Sequence, residues 1–185
     1  MIETRRLRLV PCGLEHFEAI LTDRGRLGEM LGAAVPEDAF DFPGVSNIET
    51  VRLLYERLKA DPDMLGWWTY LFVHKGDGVL IGQGGYKGGA DEMGAVEIGY
   101  AIVLAYRERG LATEAARGLI DHAFGHDHVK RVEAHTLAER NASASVLQRV
   151  GMRFVGAVAD RDLGEIWRWS LPKANHRPGP PPNQP

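Results

Sequence analysis

The sequence predicts an α+β domain, which some schemes would describe as a three-layer α/β arrangement. Between Trp67 and Val103, β-branched and aromatic residues cluster in segments that Gly- and Asp-bearing turns separate, as in an antiparallel meander. After the meander, apolar residues recur at helical spacing from Gly110 to Phe124, the strongest helix pattern of the chain. Shorter strand and helix patterns on either side complete one domain.

The chain opens with a strand and a helix. Leu7–Val10 alternates well enough to predict a strand, and the breaker residues from Pro11 to Gly13 end it. Leu14, Phe17 and Leu21 follow at the spacing of one helical face.

A second helix is predicted between Ser46 and Asp61. Ser46 and Glu49 have the spacing of a capping box, in which the serine hydroxyl accepts from the amide of Glu49. Pro62 places the helix end near Asp61, because proline disfavours helical geometry in the residue before it. Behind the cap, one apolar face is formed by Val51, Leu54, Tyr55 and Leu58.

The meander is predicted to contain three strands, Trp68–His74, Val79–Tyr86 and Ala95–Val103. The large aromatic residues Trp67, Trp68 and Tyr86 are expected in its core rather than in a substrate cleft.

The C-terminal part is predicted to contain a strand at Lys130–Thr136, a helix at Asn141–Val150, and strands near 153–158 and 165–171. The domain is therefore expected to span residues 1–171. Residues 172–185 hold six of the ten prolines and almost nothing apolar, so we expect a flexible tail, or one ordered by a partner or a neighbouring molecule.

Composition limits the classes of function. Of the 185 residues, 44% are hydrophobic and 25% charged, as in a folded globular protein. The net charge of −3 lacks the basic excess typical of nucleic-acid binding, so no nucleic-acid partner is expected. The single cysteine, Cys12, cannot form an intramolecular disulfide, and no stretch has the length and apolar character of a membrane span. We therefore expect a cytoplasmic protein without a membrane partner.

An anion site is predicted where the last meander strand leads into the long helix. The first amides of a helix have no intrahelical acceptor, and the helix dipole favours negative charge there. Gly110 lets the backbone approach a ligand closely, Arg107 and Arg109 supply positive charge, and Thr113 can donate a hydroxyl. A phosphate group is the expected ligand, although an ordinary helix cap would account for the same residues.

Several motifs, in order along the chain, resemble the GNAT acetyltransferase superfamily. Arg107-x-x-Gly110-x-Ala112, preceded by Glu97-Ile98-Gly99-Tyr100, is similar to its acetyl-CoA signature. Thr4-Arg5-Arg6-Leu7 and the segment from Glu139-Arg140-Asn141 to Met152 resemble the RimJ/RimL branch, whose named members acetylate the N-terminal amines of ribosomal proteins. The resemblance covers nearly the whole chain except the tail.

The resemblance implies a mixed, mostly antiparallel central sheet with helices on both faces, splayed between the strands that end near Val103 and Thr136. It implies acetyl-CoA as co-substrate, with the pantetheine arm in the splay. The residues expected to contact the cofactor are Ile102, Val103, Leu104, Arg107, Glu108, Arg109, Gly110, Leu111, Ala112, Thr113, Asn141 and Ser143.

Three positions depart from the family's usual pattern. Leu104 stands where the branch often has Pro, Glu108 where it often has another Gly, and Asn141-x-Ser143 is one residue shorter than the common spacing. Glu108 would place a negative charge beside the phosphates, so its side chain is expected to point away or to pair with an arginine.

Transfer to an amine requires a proton acceptor, because an amine with a pKa of about 10 is almost entirely ammonium at neutral pH. The resemblance assigns this catalytic role to Glu97, directly or through a water; an exposed strand carboxylate and a binder of the substrate's ammonium are the alternatives. On a regular strand Glu97 shares a face with Gly99 and Ala101, whose small size leaves room for an acceptor.

Two further roles follow from the resemblance. An amide near Ile102 or Val103 is expected to stabilise the oxyanion. Gln148 stands where some relatives have a tyrosine acid, so no general acid is assigned, with Ser143 and Tyr106 as candidates.

The sequence therefore predicts an N-acetyltransferase acting on a small-molecule amine or a peptide or protein N-terminus. A non-catalytic acyl-CoA-binding sensor or scaffold is the alternative. Many relatives dimerise, so a homodimer is an expectation by analogy, and acceptor specificity is expected in loops Arg24–Val45 and Lys87–Gly94. The polar cluster at the end of the long helix is expected to be solvated rather than to bind a metal; it comprises Asp121, His122, His126, Asp127 and His128.

Overall fold

The computed structural model describes residues 1–40, 42 and 47–179, and within them the chain forms one eight-stranded sheet and five α-helices. The strands are β1 Ile2–Glu3, β2 Leu7–Pro11, β3 Thr69–His74, β4 Val79–Tyr86, β5 Ala95–Ile102, β6 Arg131–Leu137, β7 Arg153–Asp160 and β8 Gly164–Pro172. The helices are α1 Leu14–Thr22, α2 Arg24–Leu31, α3 Ile48–Ala60, α4 Leu111–Phe124 and α5 Ala142–Arg149.

The strands lie in the order β1-β2-β3-β4-β5-β6-β8-β7. Every neighbouring pair is antiparallel except β5 and β6, which run parallel. The mixed, mostly antiparallel sheet and the meander of β3, β4 and β5 are therefore confirmed.

The sheet splays between its two parallel strands. β5 pairs with β6 only over Ala95–Glu97, opposite Arg131–Glu133. Beyond these residues β5 stays paired with β4 through Ile102, and β6 stays paired with β8 through Leu137. The two strands thus separate towards their C-terminal ends, which opens the predicted gap in the middle of the sheet.

Side chains from the two faces of the sheet belong to two separate hydrophobic clusters. On β3, Tyr70 and Phe72 join the cluster that includes the buried residues of α4 and α5. Leu71 and Val73 join a second cluster with the buried residues of α1, α2 and α3. Because successive strand residues point to opposite faces, helices cover both faces of the sheet, as predicted.

The cap of α3 differs from the prediction. The helix begins at Ile48, and the side-chain Oδ1 of Asn47 accepts from the Thr50 amide at 2.8 Å. Asn47 therefore occupies the N-cap position predicted for Ser46, which lies outside the described residues. Serine and asparagine both favour this position, and the capping-box spacing of Ser46 and Glu49 pointed to the wrong one of two neighbouring residues.

The segment expected to be a loop from Arg24 begins with a helix, α2. Asp23 caps it by accepting from the Arg26 amide at 3.1 Å, and Leu27 and Leu31 are buried. The glycines within this short helix weakened its pattern, and tertiary burial supplies the stability that propensity does not.

The segment after β8 runs back against α4. His176 Nε2 lies 2.8 Å from Asp121 Oδ1, the His176 ring centroid is 4.8 Å from that of Phe124, and the Gly179 amide donates to Asp121 Oδ2 at 3.3 Å. The division of the chain at residue 171 stays a prediction, and residues 180–185 of the expected tail lie outside the described residues.

Of the helices in the described part of the chain, none combines the length and apolar character that crossing a lipid bilayer requires.

Candidate functional site

A cavity of about 940 Å³ lies between the start of α4, the end of β5 and the start of α5. It is lined by nine of the twelve residues predicted to contact a cofactor, namely Ile102, Leu104, Arg107, Glu108, Gly110, Leu111, Ala112, Thr113 and Ser143. The cavity is also lined by residues for which the sequence predicted no cofactor contact, among them Phe42, Tyr100, Val146 and Arg149.

The start of α4 presents main-chain donors to this cavity. Gly110 is the N-cap with φ of +73°, in the left-handed region that glycine adopts without steric cost. The Glu114 amide makes the first intrahelical bond, to the Gly110 carbonyl at 3.1 Å. The amides of Leu111, Ala112 and Thr113 precede that bond, and together with the helix dipole they favour an anion.

Glu108 adopts the same left-handed backbone region, with φ of +61°, as the sole non-glycine residue with positive φ in the described chain. A side chain in this region costs about 1 kcal/mol or more. The family's preference for glycine at this position therefore has a direct geometric reason. The Glu108 side chain is exposed at the rim of the cavity.

Thr113 brings an unsatisfied donor to the cavity wall. Its Oγ1 is buried and makes no hydrogen bond to any described residue. Because a buried hydroxyl without a partner is costly, an oxygen atom of a ligand fits this position.

The two arginines of the turn make separate contacts. Arg107 Nε donates to the Ile102 carbonyl at 2.9 Å, and Arg107 lines the cavity. The Arg109 guanidinium lies 4.9 Å from the Tyr106 ring centroid, and its backbone carbonyl accepts from Arg6 at 2.9 Å. Arg109 is not among the lining residues, so of these two arginines it is Arg107 that the structure brings to the cavity.

Every second backbone amide of β5 points towards the splay. The Val103 amide donates to the Ile81 carbonyl at 2.9 Å, and the Glu97 carbonyl accepts from the Lys87 amide at 2.9 Å, so odd-numbered residues bond towards β4. By the alternation of an antiparallel ladder, the amides of Tyr100 and Ile102 face the gap. The expectation that the Val103 amide serves as an oxyanion donor is therefore corrected, since that amide is occupied and Val103 is buried.

The two predicted residues of α5 behave differently. Asn141 is the N-cap, its Oδ1 accepts from the Ala144 amide at 2.9 Å, and it does not line the cavity. Ser143 lines the cavity, and its Oγ lies 3.3 Å from the Tyr100 hydroxyl. Asn141 thus positions the helix that carries Ser143.

Tyr100 lines the cavity, although the sequence analysis named it only as part of the family signature and predicted no contact for it. Burial raises the pKa of Tyr100 to about 12, against a smaller opposing effect of the bond to Ser143. The hydroxyl therefore stays protonated at neutral pH. Tyr106, a candidate acid, instead donates its hydroxyl to Asp77 Oδ2 at 2.8 Å.

Glu97 lies on the face of β5 opposite α4. Val96 and Ile98 join the cluster of α4, so Glu97 and Gly99 point to the other side. A side chain at Gly99 would meet no heavy atom of the described residues within 4 Å, so the predicted space beside Glu97 exists. Glu97 Oε1 contacts Lys87 Nζ and lies 3.0 Å from His135 Nδ1.

A second carboxylate, Glu133, lies beside Glu97 in the parallel register. Its Oε1 accepts from Arg131 Nε and Arg168 Nη2, both at 2.8 Å. Burial raises the pKa of Glu133, but the hydrogen bonds and charges of the two arginines outweigh burial and lower it overall. Glu133 is therefore ionised, and the two arginines balance its negative charge.

The histidines at the end of α4 pack against aromatic side chains. The Tyr86 hydroxyl donates to the Leu119 carbonyl at 2.6 Å and lies 3.0 Å from His122 Nδ1. The ring centroids of His126 and Trp67 lie 4.9 Å apart. In the part of the chain that the structure describes, no group of three or more His, Cys, Asp or Glu is placed to hold a metal ion.

Comparisons with known proteins agree with this geometry. The family described as acetyltransferase (GNAT) domain matches residues 6–153. The uncharacterized N-acetyltransferase YjdG of Bacillus subtilis (strain 168) is 27% identical over 151 residues, which cover 82% of this chain and 88% of YjdG.

Two solved structures share the fold at low identity. RimL, a ribosomal L7/L12 alpha-N-protein acetyltransferase in complex with coenzyme A, superposes with a TM-score of 0.67 at 15% identity, covering 93% of this chain and 98% of its own. A putative ribosomal-protein-serine acetyltransferase from Vibrio cholerae gives a TM-score of 0.66 at 16% identity, with coverages of 92% and 96%.

Proposed function

Because the chain belongs to the GNAT acetyltransferase family, we propose that it transfers the acetyl group of acetyl-CoA to the primary amine of a small molecule or of a peptide or protein N-terminus. The relatives named as N-acetyltransferases support an amine as acceptor. RimL, described as acting on a ribosomal protein, supports the peptide class and fits the RimJ/RimL-like branch.

The observation that carries the proposal is the donor set at the start of α4. Leu111, Ala112 and Thr113 line one cavity, where Thr113 has an unpartnered hydroxyl, the helix start has free amides and Arg107 adds positive charge. This combination suits the pyrophosphate of coenzyme A. When bound, acetyl-CoA supplies the thioester whose carbonyl carbon accepts the amine.

The splay between β5 and β6 suits the pantetheine arm and the reacting carbonyl. The amides of Tyr100 and Ile102 face the gap, where they can hydrogen-bond an amide of the arm or the negative charge that develops on the carbonyl oxygen. The Tyr100 hydroxyl and Ser143 lie at the same wall, where they can donate to the departing thiolate.

The acceptor amine is assigned to the opposite face of the sheet. Gly99 leaves open space there, and Glu97 provides a carboxylate at its edge. A carboxylate attracts an ammonium, and the groups around it can remove the proton that prevents attack.

The test combines binding with turnover. Calorimetric titration with coenzyme A measures affinity, and a panel of small primary amines and short peptides is screened for thiol release from acetyl-CoA. Amine-dependent release that collapses in Glu97→Gln, with coenzyme A affinity retained, supports the enzyme. Binding without consumption of any acceptor favours a sensor or scaffold, and no affinity for coenzyme A contradicts both.

A further inference from the structure

Glu97 and His135 form a carboxylate–imidazole pair on the acceptor side of the sheet. His135 Nδ1 lies 3.0 Å from Glu97 Oε1, which is an ion-pair distance, but the contact does not have hydrogen-bond geometry and Glu97 Oε1 makes no hydrogen bond to the described residues. When the neutral ring carries its proton on Nδ1, the nitrogen nearer the carboxylate, Nε2 is free to accept a proton. The negative charge of a carboxylate this close to Nδ1 favours that tautomer.

The sheet register places His135 at the mouth of the splay. Glu97 and Glu133 are the last paired residues of the two parallel strands. Gly99 and His135 come next on the same face of each strand, where the strands have separated. The open space at Gly99 therefore lies across the gap from the imidazole, which is 22% exposed and accessible to a ligand.

The charges around the ring leave Glu97 as its carboxylate partner. Glu133, two residues before His135, is held by Arg131 and Arg168. The charged side chains that face the His135 region from the elements packed around it are Glu97 of β5, Lys87 after β4, Glu133 of β6, Arg168 of β8 and Asp160 at the end of β7.

We propose that His135 accepts the proton of the acceptor ammonium, and that Glu97 supports it by favouring the ring with its proton on Nδ1 and by attracting the ammonium. This inference rests on the proposed function and replaces the direct base role expected for Glu97. As a class, imidazoles are stronger bases than carboxylates, and a base matched to neutral pH is the more effective catalyst.

The step balances in atoms and electrons. The first N–H bond of the ammonium breaks, and its proton moves to His135 Nε2 and from there to solvent. The nitrogen lone pair forms the bond to the acetyl carbon as the carbon–sulfur bond breaks, and the sulfur leaves with the electron pair of that bond. The nitrogen then loses its second surplus proton to His135 Nε2, which passes it to the thiolate, so that the products are the neutral amide and the thiol.

The first test measures the ring itself, in the protein without any ligand. Nitrogen-15 spectra of labelled histidine, assigned with His135→Gln, report which ring nitrogens carry protons. We expect the neutral form of the ring to carry its proton on Nδ1, and this tautomer preference to be lost in Glu97→Gln. A ring that remains doubly protonated throughout the pH range of activity, or a neutral form with its proton on Nε2, would overturn the proposal.

The second test uses two acceptors from the amine panel, a primary alkylamine and a fluorinated analogue of lower pKa. His135→Gln keeps a hydrogen-bond donor near Glu97 but removes the base. We expect kcat/KM for the alkylamine to fall roughly 100-fold. The loss for the analogue should be distinctly smaller, because a larger fraction of an amine with a lower pKa is already the free base at the pH of the assay.

Equal losses with both amines would indicate a structural role and contradict the inference. His128→Gln, an exposed histidine beyond the C-terminal end of α4, serves as the matched control and should leave both rates unchanged. Unaltered coenzyme A affinity of His135→Gln verifies the fold. Absence of turnover by the wild-type protein with every amine would contradict the proposed function, whereas turnover with equal losses contradicts only this inference.

Discussion

Arg6 is joined to Glu114 by two bonds: its amide donates to Glu114 Oε1 at 2.6 Å and its Nε to Oε2 at 2.7 Å. The Thr4 hydroxyl also donates to Oε1, at 2.7 Å. The carboxylate thus ties the N-terminal segment to the first turn of α4, directly behind the cavity. This contact joins the Thr4-Arg5-Arg6 motif to the motif around Glu114, 108 residues further along the chain.

Glu114→Gln should destabilise the protein at neutral pH and lose this effect in acid. Burial raises the pKa of Glu114, but the bonds from Arg6 and Thr4 outweigh burial and lower it below its ordinary value of 4.5. The carboxylate therefore contributes stability above pH 4.5, and this contribution disappears as the pH falls through the lowered pKa. We expect a loss of about 1–2 kcal/mol at pH 7, after allowance for partial exposure.

Urea unfolding of the wild type and Glu114→Gln at a series of pH values checks this. The difference in unfolding free energy should narrow below pH 4.5. Glu165→Gln, which alters an exposed strand carboxylate, is the control. A difference independent of pH would show that the ionised carboxylate is not responsible.

Thr113→Val should weaken coenzyme A binding without weakening the fold. The substitution removes a buried hydroxyl that has no partner among the described residues, so the free energy of unfolding should stay constant or rise. Loss of one hydrogen bond to the ligand should raise the Kd for coenzyme A by roughly fivefold, or about 1 kcal/mol.

Thr136→Val is the matched control for this prediction. The buried Thr136 Oγ1 accepts from Trp169 Nε1 at 3.0 Å, so its loss should lower stability and leave coenzyme A affinity unchanged. Calorimetry and thermal unfolding measure both quantities. Equal coenzyme A affinity of Thr113→Val and wild type would remove Thr113 from the binding site.

The parts of the fold predicted from sequence are those whose pattern is local and long. The meander strands and α4 have strong periodicity, and their positions are confirmed within one or two residues. The short helix α2 was missed because Gly25 and Gly28 lower its propensity and burial of Leu27 and Leu31 decides its formation. The cap of α3 was misplaced by one residue because Ser46 and Asn47 are both good caps.

The site divides in the same way. The turn from Arg107 to Thr113 is contiguous in sequence, so its chemistry could be read directly. Tyr100 with Ser143, and Glu97 with His135, are joined across different elements by sheet register and helix packing. Periodicity predicts the face of the strand or helix on which each residue lies. The contacts across the splay depend on the register between strands, which could not be predicted from one sequence.

Tyr100→Phe should reduce turnover only modestly. The substitution removes the hydroxyl near Ser143 while keeping the ring that packs against the core. A thiol has a pKa of about 8.5, so the leaving thiolate needs little acid assistance, and kcat should fall by less than about tenfold. Pre-steady-state thiol release measures the chemical step.

Ser143→Ala tests the same contact from the other side. We expect the Tyr100→Phe, Ser143→Ala double variant to lose little more than either single variant, because one hydrogen-bonded pair is removed in each case. A loss of several orders of magnitude in Tyr100→Phe would instead identify an obligatory acid.

Glu108→Gly and Glu108→Gln together separate strain from charge at the cavity rim. Both substitutions remove a negative charge beside the proposed pyrophosphate, so both should tighten coenzyme A binding, and added salt should diminish the gain. Only glycine relieves the φ of +61°, so only Glu108→Gly should raise the free energy of unfolding. We expect that increase to be about 0.5–1 kcal/mol, because the greater freedom of glycine in the unfolded chain offsets part of the relief. Calorimetric Kd values at low and high salt, with urea unfolding of all three proteins, distinguish the effects. Equal stability of the two variants would show that the left-handed backbone at this turn carries no strain, and unchanged affinity in both would place the phosphates away from Glu108.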